Sequence, residues 1–423
     1  MPTLTAASPT ATRTRYKPSL ISWNLTKKCN LRCPHCYMEA GRKAERELST
    51  GECLGLLDEM KQLGTEMVIL TGGEPLLRTD IYDIARYASE LGIWVVMGTN
   101  GVLINDAVAE KMVECGVRGV GISIDSIDPE KHDSFRGGPN AWKHSVRALD
   151  ICRAHGLEVL VQSTVMAMNY DEIPELIQFA RDKGAWSLNL YFLVQTGRGQ
   201  QMNDLSPEQT EAMLSRLVDV QDQYRPMLVR SKCAPQFKQI AYEKGRGGLE
   251  SGGCMAGTQY GRITPEGDVT PCPYMSVSAG NVLERSFTEI WEDSPILQDL
   301  RSPDRLKGRC GRCEFNGLCG GCRCRAYAAF GDYLEEDPAC RYQPTGQPLK
   351  TPPVVWNSEA RARLDRIPIE FIREKTRKGV EAYAQRKEFP LITLDVMTQA
   401  LAGAGRRPVF PTMPSFLNRR KQQ

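Results

Sequence analysis

The sequence predicts an α/β fold: a parallel sheet, open or closed into a barrel, followed by a cysteine-rich extension and a small α-helical unit. Three observations carry this reading. Short apolar runs alternate with segments of helical period through residues 19–192, the pattern of strand–helix repeats around a parallel sheet. Glycine, asparagine and acidic residues stand just after several of these runs, where functional groups sit in such folds. Cysteines fall in short-spaced groups, one at the head of the alternating region and one beyond its end.

In chain order, residues 19–25 read as the first strand. A helix over 45–63 follows, with Ser49-Thr50 as its N-cap. Met67-Val68-Ile69-Leu70 is a buried strand running into Thr71-Gly72-Gly73-Glu74-Pro75. A helix over 81–91 leads to a strand over 93–97 and to Gly98-Thr99-Asn100-Gly101. Another helix reaches Cys115, and a strand over 119–124 ends in Asp125-Ser126. Strands over 159–165 and 187–192 repeat the unit. Ser206-Pro207-Glu208 is a start signal for a helix within 204–224.

The head of the region reads Cys29-Asn30-Leu31-Arg32-Cys33-Pro34-His35-Cys36, a Cys-x3-Cys-x2-Cys spacing. Three thiolates in so short a span cannot all pair as disulfides, and a tight loop can wrap them around one iron–sulfur cube. Three protein ligands on a [4Fe–4S] cube leave one iron open to a small chelating ligand. A structural zinc loop is the alternative, with His35 as its fourth ligand.

A length of 423 residues leaves room for two or three domains at ~150 each. Formal charge is +3, from 54 basic and 51 acidic residues, too near neutral to argue for nucleic acid or a membrane surface. No apolar run is long enough to span a bilayer. Residues 1–18 are rich in Thr, Ala, Pro and Ser and read as a disordered tail rather than a secretory signal; a transit peptide is the alternative. The 15 cysteines cluster in a long chain without an export signal, which reads as metal binding in a reducing, cytoplasmic compartment. Cys53, Cys115 and Cys152 fall within helices as buried structural thiols. His132, His144 and His155 read as surface or capping groups.

Cys29/Cys33/Cys36 followed one helix later by Gly72-Gly73-Glu74-Pro75 resembles the radical S-adenosylmethionine (radical SAM) enzymes. The resemblance implies a partial (β/α)6 TIM-like barrel. It implies a [4Fe–4S] cluster on Cys29, Cys33 and Cys36, with S-adenosylmethionine on the open iron through its methionyl amino and carboxylate groups. One-electron reduction then gives a 5′-deoxyadenosyl radical that takes a hydrogen atom from the substrate. Gly72 and Gly73 let backbone approach a ligand closely, and Glu74 supplies a carboxylate near the methionyl ammonium. Asn100, Ser123 and Asp125 resemble strand-end residues that reach the ribose hydroxyls; capping of the following helices is the alternative. Arg136 could pair with the methionyl carboxylate as a planar donor fork, or lie at the surface. His35 stands where this family tends to carry an aromatic beside the adenine.

A second array follows. Cys254 leads to Gly267-x4-Cys272, then to Cys310-x2-Cys313-x5-Cys319-x2-Cys322-x-Cys324 and a lone Cys340. This resembles the SPASM-type extension of radical SAM proteins, which holds one or two auxiliary [4Fe–4S] clusters. By resemblance Cys310, Cys313, Cys319 and Cys340 form one cluster. Cys254, Cys272 and either Cys322 or Cys324 supply another, with an open site or a non-cysteine ligand. Here two or four residues separate the last close cysteines, a departure from the family spacing that leaves the second cluster's completeness open. Zinc ribbons are the alternative. Lys232-Cys233-Ala234-Pro235, Gly253-Cys254-Met255-Ala256-Gly257 and Cys319-Gly320-Gly321-Cys322-Arg323 look like the heme d1 and alternative-heme (siroheme-derived) biosynthesis branch. Those enzymes remove acetate- or propionate-derived carbon from modified tetrapyrroles. Peptide-modifying maturases share the architecture.

Residues 346–354 read as a linker. Beyond it, Leu364, Ile367, Phe371 and Ile372 fit one helical face, and Val380, Tyr383 and Ala384 another; Ile392-Thr393-Leu394-Asp395-Val396 opens a last short helix. This unit resembles the small C-terminal domain of the light-independent protochlorophyllide reductase catalytic subunit, with a docking module as the alternative. The expected order is tail 1–18, radical SAM core 19–225, auxiliary-cluster domain 226–345, linker 346–354, helical domain 355–402 and disordered tail 403–423. The expected activity is radical chemistry on tetrapyrrole carboxylate side chains. A peptide or protein side chain is the second reading, and a non-catalytic iron–sulfur electron carrier the third. The expected partners are that tetrapyrrole or peptide and an electron donor such as ferredoxin or flavodoxin, with no nucleic acid and no membrane.

Overall fold

A computed structural model describes residues 16–202, 204–244, 253–349, 354–387, 389 and 391–403. The expected tails at 1–15 and 404–423, and linker residues 350–353, lie outside the described residues. Six apolar runs become β1 (Leu20–Asn24), β2 (Met67–Thr71), β3 (Trp94–Thr99), β4 (Val117–Ser123), β5 (Glu158–Val165) and β6 (Ser187–Phe192). They lie side by side in sequence order, each parallel to the next. β7 (Leu228–Lys232) extends the sheet parallel to β6, and β8 (Tyr260–Ile263) extends it parallel to β1. β9 (Asp268–Thr270) and β10 (Gly280–Asn281) continue antiparallel beyond β8. The result is an open ten-stranded sheet, a partial barrel.

Helices cover the outer face, as parallel strands require. They are α1 (Thr50–Gln62), α2 (Ile81–Glu90), α3 (Asp106–Glu114), α4 (Pro129–Arg136), α5 (Ala141–Ala154) and α6 (Ile173–Asp182). α1 starts at Thr50 rather than at 45, because a Ser49–Glu52 capping box fixes its first turn. α7 (Pro207–Val220) starts at the expected signal, with Ser206 capping Gln209. Val68, Leu70, Val95, Met97, Val120 and Ile122 are fully buried between strands and helices. Cys53, Cys115 and Cys152 belong to the same core. His132, expected at the surface, is fully buried on the inner side of α4, its Nδ1 3.6 Å from Asp133. His155 caps α5 and meets Asp106 at 3.1 Å.

The extension carries α8 (Phe237–Glu243), α9 (Phe287–Asp293), α10 (Pro295–Leu300), α11 (Gly308–Gly311) and α12 (Arg323–Phe330). The C-terminal unit holds α13 (Ser358–Asp365), α14 (Glu370–Arg386) and α15 (Leu394–Gly403) around a separate core of Leu364, Val380, Ala384, Ile392 and Met397. It also pairs β11 (Val355–Trp356) with β12 (Leu391–Ile392), strands too short to expect from sequence. Among the described residues no helix is long and apolar enough to cross a membrane.

Candidate functional site

The carboxyl ends of the parallel strands converge on a cleft of about 1250 Å³, its open mouth included. Cys29, Cys33 and Cys36 line it from the loop after β1, Gly72 and Gly73 from the loop after β2, and Thr99 and Asn100 from the end of β3. Ser123, Arg136 and His35 also line it. The cysteine loop is held by backbone bonds from Cys29 to Gly41 (3.0 Å) and from Gly41 to Lys27 (2.9 Å). Arg198 clamps its far side, donating to the carbonyls of Cys33 (3.0 Å) and Ala40 (2.7 Å).

The thiols differ by environment. Cys29 Sγ accepts from the Leu31 N–H and Cys36 Sγ from the Ala40 N–H, each at 3.4 Å. Cys33 Sγ lies 4.0 Å from Arg136 Nη1. Sulfurs that accept N–H bonds suit an iron–sulfur cluster. The core thiols of Cys53 and Cys115 donate to the carbonyls of Leu48 and Met112, with Cys53 also accepting from Arg78 Nη2 at 3.5 Å, and Cys33 Sγ stands 3.7 Å from the Arg136 carbonyl. Burial pushes the free Cys29 thiol up to about 11 and raises that of Cys33. A bound metal would remove those protons outright. Among the described residues no three His, Cys, Asp or Glu side chains close around a single-ion point. A cube is wider than an ion, and the cysteine trio lines a space.

Backbone crowding explains both glycines. A Cβ on Gly73 would stand 2.3 Å from the Lys28 carbonyl oxygen, and one on Gly72 2.6 Å from that of Thr26. Glu74 does not line the cleft. It is fully buried behind the glycines and accepts from Thr99 Oγ1 (2.8 Å), Asn100 N (2.9 Å) and Leu76 N (3.2 Å). Burial pushes its carboxyl up to about 7. Its role in this geometry is to tie the β2 loop to the end of β3. Asn100 continues the tie, donating to Asn30 Oδ1 at 2.8 Å inside the cysteine loop.

Asp125 also lies behind the wall. Its Oδ1 accepts from Thr164 N (2.8 Å), and its Oδ2 stands 2.6 Å from Arg136 Nη2. Burial, the largest single influence, pushes this carboxyl up, but the facing guanidinium, the nearby imidazoles and the Thr164 N–H bond together outweigh it and hold the group below the ordinary carboxylate range. Arg136 is therefore a buried, paired arginine rather than a surface one. His35 stacks on Phe135 with centroids 4.7 Å apart and planes within 10°. Burial lowers its pKa to about 4, so the ring is neutral at pH 7. Across the cleft, Tyr191, Phe192 and Tyr274 give an aromatic wall.

The second cysteine array divides in two. Cys310, Cys313, Cys319 and Cys340 line one cavity, with Gln239 and Asp337 beside them. Three of these sulfurs accept backbone N–H bonds: Cys310 from Asp337, Cys313 from Phe315 and Cys319 from Gly321, at 3.4–3.5 Å. Gly321 has φ +64°, and a Cβ there would fall 2.8 Å from Cys310 Sγ. Cys254, Cys272, Cys322 and Cys324 gather in a separate buried cluster that Tyr274 joins to the cleft. Sequence reasoning left Cys233 out; the structure packs it into this same cluster.

A cysteine trio at the strand ends of an open parallel barrel, beside two crowded glycines, is the arrangement of a radical SAM enzyme. The chain belongs to that superfamily: residues 23–180 match the Radical SAM superfamily and residues 254–323 the SPASM iron–sulfur cluster-binding domain. Residues 356–400 match the proto-chlorophyllide reductase 57 kD subunit. The chain is 38% identical to an AdoMet-dependent heme synthase of Methanosarcina barkeri, over 77% of this chain and 97% of the relative. It is 33% identical to a pre-heme d1 synthase of Dinoroseobacter shibae, over 78% of this chain and 88% of the relative. The solved structure of Streptococcus suis SuiB bound to S-adenosylmethionine shares the fold, with TM-score 0.65 and 20% identity over 77% of this chain and 78% of that one. The protein is an enzyme of radical chemistry whose cofactors are S-adenosylmethionine and [4Fe–4S] clusters.

Proposed function

We propose that this enzyme removes or alters carboxylate side chains of a tetrapyrrole. The observation that carries the proposal is the 38% identity to an AdoMet-dependent heme synthase across 97% of that protein. The cleft agrees with it in kind: its aromatic wall of Tyr191, Phe192 and Tyr274 offers stacking faces to a flat, largely apolar macrocycle. In this reading Cys29, Cys33 and Cys36 hold the [4Fe–4S] cluster. When bound, that cluster and S-adenosylmethionine together supply a 5′-deoxyadenosyl radical that takes a hydrogen atom from the substrate.

The remaining work belongs to the chain. Gly72 and Gly73 present backbone to the methionyl end, and Glu74 keeps that backbone in place through Thr99 and Asn100. Asn100 and Ser123 offer polar atoms to the ribose, with Asp125 behind them as the anchor of Arg136. The His35–Phe135 stack gives the adenine a flat neighbour. Arg198, through the Cys33 and Ala40 carbonyls, and Arg136, whose carbonyl accepts from the Arg32 N–H, tether the cysteine loop. The work divides among residues 19–225, the auxiliary part 226–345 and the helical unit 355–402. Cys310, Cys313, Cys319 and Cys340 hold one auxiliary cluster, and Cys254, Cys272 and Cys322 or Cys324 ligate a second. A ferredoxin- or flavodoxin-type donor in the cytoplasm supplies the electron.

The test is anaerobic reconstitution with S-adenosylmethionine, dithionite and candidate porphyrinoids. The expected products are 5′-deoxyadenosine and a porphyrinoid of lower mass. Cys33→Ala abolishes nucleoside release while the auxiliary iron signal stays; release at the wild-type rate refutes the cluster assignment. Modification of a peptide with every porphyrinoid unchanged overturns the substrate.

A further inference from the structure

We propose that Cys233 is the fourth thiolate of the auxiliary site that Cys254, Cys272 and the Cys322/Cys324 pair begin. The inference rests on reading that site as iron–sulfur, and it makes the site fully thiolate-ligated instead of open or closed by another residue type.

The cysteine inventory narrows the choice. Of the 15 cysteines, three lie in the N-terminal loop, three in the core helices and their caps, and four around the Cys310 cavity. The remaining five are Cys233, Cys254, Cys272, Cys322 and Cys324, and all five share one buried cluster. Within it, Cys233 lies in electrostatic reach of Cys322, Cys272 and Cys254. Cys324 lies in hydrogen-bond reach of Cys272 and Cys322. A cube takes four thiolates. Cys254 and Cys272 come from separate loops, and Cys322 and Cys324 sit one residue apart at the start of α12. Cys233 arrives from a further element, directly after the carboxyl end of β7.

The backbone at Cys233 is built for this placement. Its φ is +58°, a left-handed conformation that non-glycine residues adopt at a cost. Arg325 holds it there, donating from Nη1 to the Cys233 carbonyl (2.9 Å) and from Nη2 to that of Leu193 (3.1 Å). Arg325 follows Cys324 directly and pairs with Asp337 at 3.5 Å. Asp337 in turn accepts from the Cys322 N–H at 2.7 Å. One arginine and one aspartate thus lock the β7 end against the Cys322–Cys324 turn. A buried thiol with only a packing role needs no such strained, tethered turn.

The left-handed φ also supplies a clean variant. Glycine adopts this conformation readily, so Cys233→Gly removes the thiol and relieves the backbone. In anaerobically reconstituted full-length protein, Cys233→Gly is expected to lose up to about four iron and four sulfide per chain. The auxiliary component of its reduced electron paramagnetic resonance spectrum is expected to vanish or change. Its apoprotein is expected to melt no lower than wild-type apoprotein. Cys152→Ala, a buried core thiol, is expected to keep all its iron. Unchanged iron and an unchanged spectrum in Cys233→Gly overturn the proposal; so does an equal iron loss in Cys152→Ala. If the ligand fails but wild type still releases 5′-deoxyadenosine, the radical function stands. If wild type releases none while Cys233→Gly still loses auxiliary iron, the function fails and the ligand stands.

Discussion

Gly73 carries no side chain because the Lys28 carbonyl leaves no room for one: a Cβ would stand 2.3 Å from that oxygen and 2.8 Å from the Lys27 oxygen. Both neighbours are backbone leading into the cysteine loop, so neither can yield without moving the loop. Gly73→Ala is therefore expected to destabilise the protein by about 1–3 kcal/mol and to cut S-adenosylmethionine cleavage. Thermal midpoints and 5′-deoxyadenosine release check the two effects separately. The Asp125–Arg136 pair makes a second residue-level prediction. Asp125 is fully buried and faces a nearly buried guanidinium at 2.6 Å. Removing one partner of such a pair leaves a buried charge uncompensated, at a cost of about 3–5 kcal/mol. Asp125→Ala is expected to lose that much in anaerobic urea titration, and Asp125→Asn less, since an amide oxygen can still accept from Thr164 N. The sequence showed which residue types gather at the strand ends. It could not show that Glu74 and Asp125 turn away from the cleft, because that depends on Thr99, Thr164 and Arg136 meeting them from distant elements.

At the level of elements, legibility followed local signal strength. β2, with Val68 and Leu70 buried, and β6, with Leu188 and Leu190 buried, are apolar runs that stand out from their surroundings. β7 is an edge strand of Leu228, Val229, Arg230, Ser231 and Lys232 in which only Val229 is buried. It forms because β6 offers a free edge, in a register that sets Tyr191 against Lys232. With no strand signal there, the sequence shows Cys233 only as part of the Lys232-Cys233-Ala234-Pro235 run and gives it no ligand role. β8 likewise exists because β1 offers its other edge to a segment far along the chain. The helices were easier, since their starts are written locally. Ser49 Oγ accepts from Glu52 N at 3.3 Å, and Glu52 returns a bond to Ser49 N at 2.8 Å. Ser49→Ala is expected to cost about 1 kcal/mol. Because this cap is exposed and lies outside the cleft wall, nucleoside release at a permissive temperature should match wild type.

The whole molecule places its chemistry in one connected body and its C-terminal unit to one side. Every residue lining the cleft or the Cys310 cavity comes from positions 22–344. The C-terminal unit has its own core of Leu364, Val380, Ala384 and Ile392. Among the described residues its contacts with the body include the Phe371 N–H on the Glu66 carboxylate, at 3.1 Å, and the Lys17–Glu370 ion pair, at 2.5 Å. The ion pair is half-exposed on both sides, and such pairs contribute little to stability. Deleting residues 354–423 is therefore expected to leave iron content and dithionite-driven 5′-deoxyadenosine release close to wild type. The truncated chain should lose turnover only when a step the unit itself serves, such as docking of a protein electron donor or of the tetrapyrrole, replaces dithionite or limits the rate. Comparing the two chains with dithionite and with a reduced ferredoxin or flavodoxin separates these cases. Loss of auxiliary iron in the truncated protein would show instead that the unit buttresses the cysteine-rich extension, contrary to the separation of the two cores.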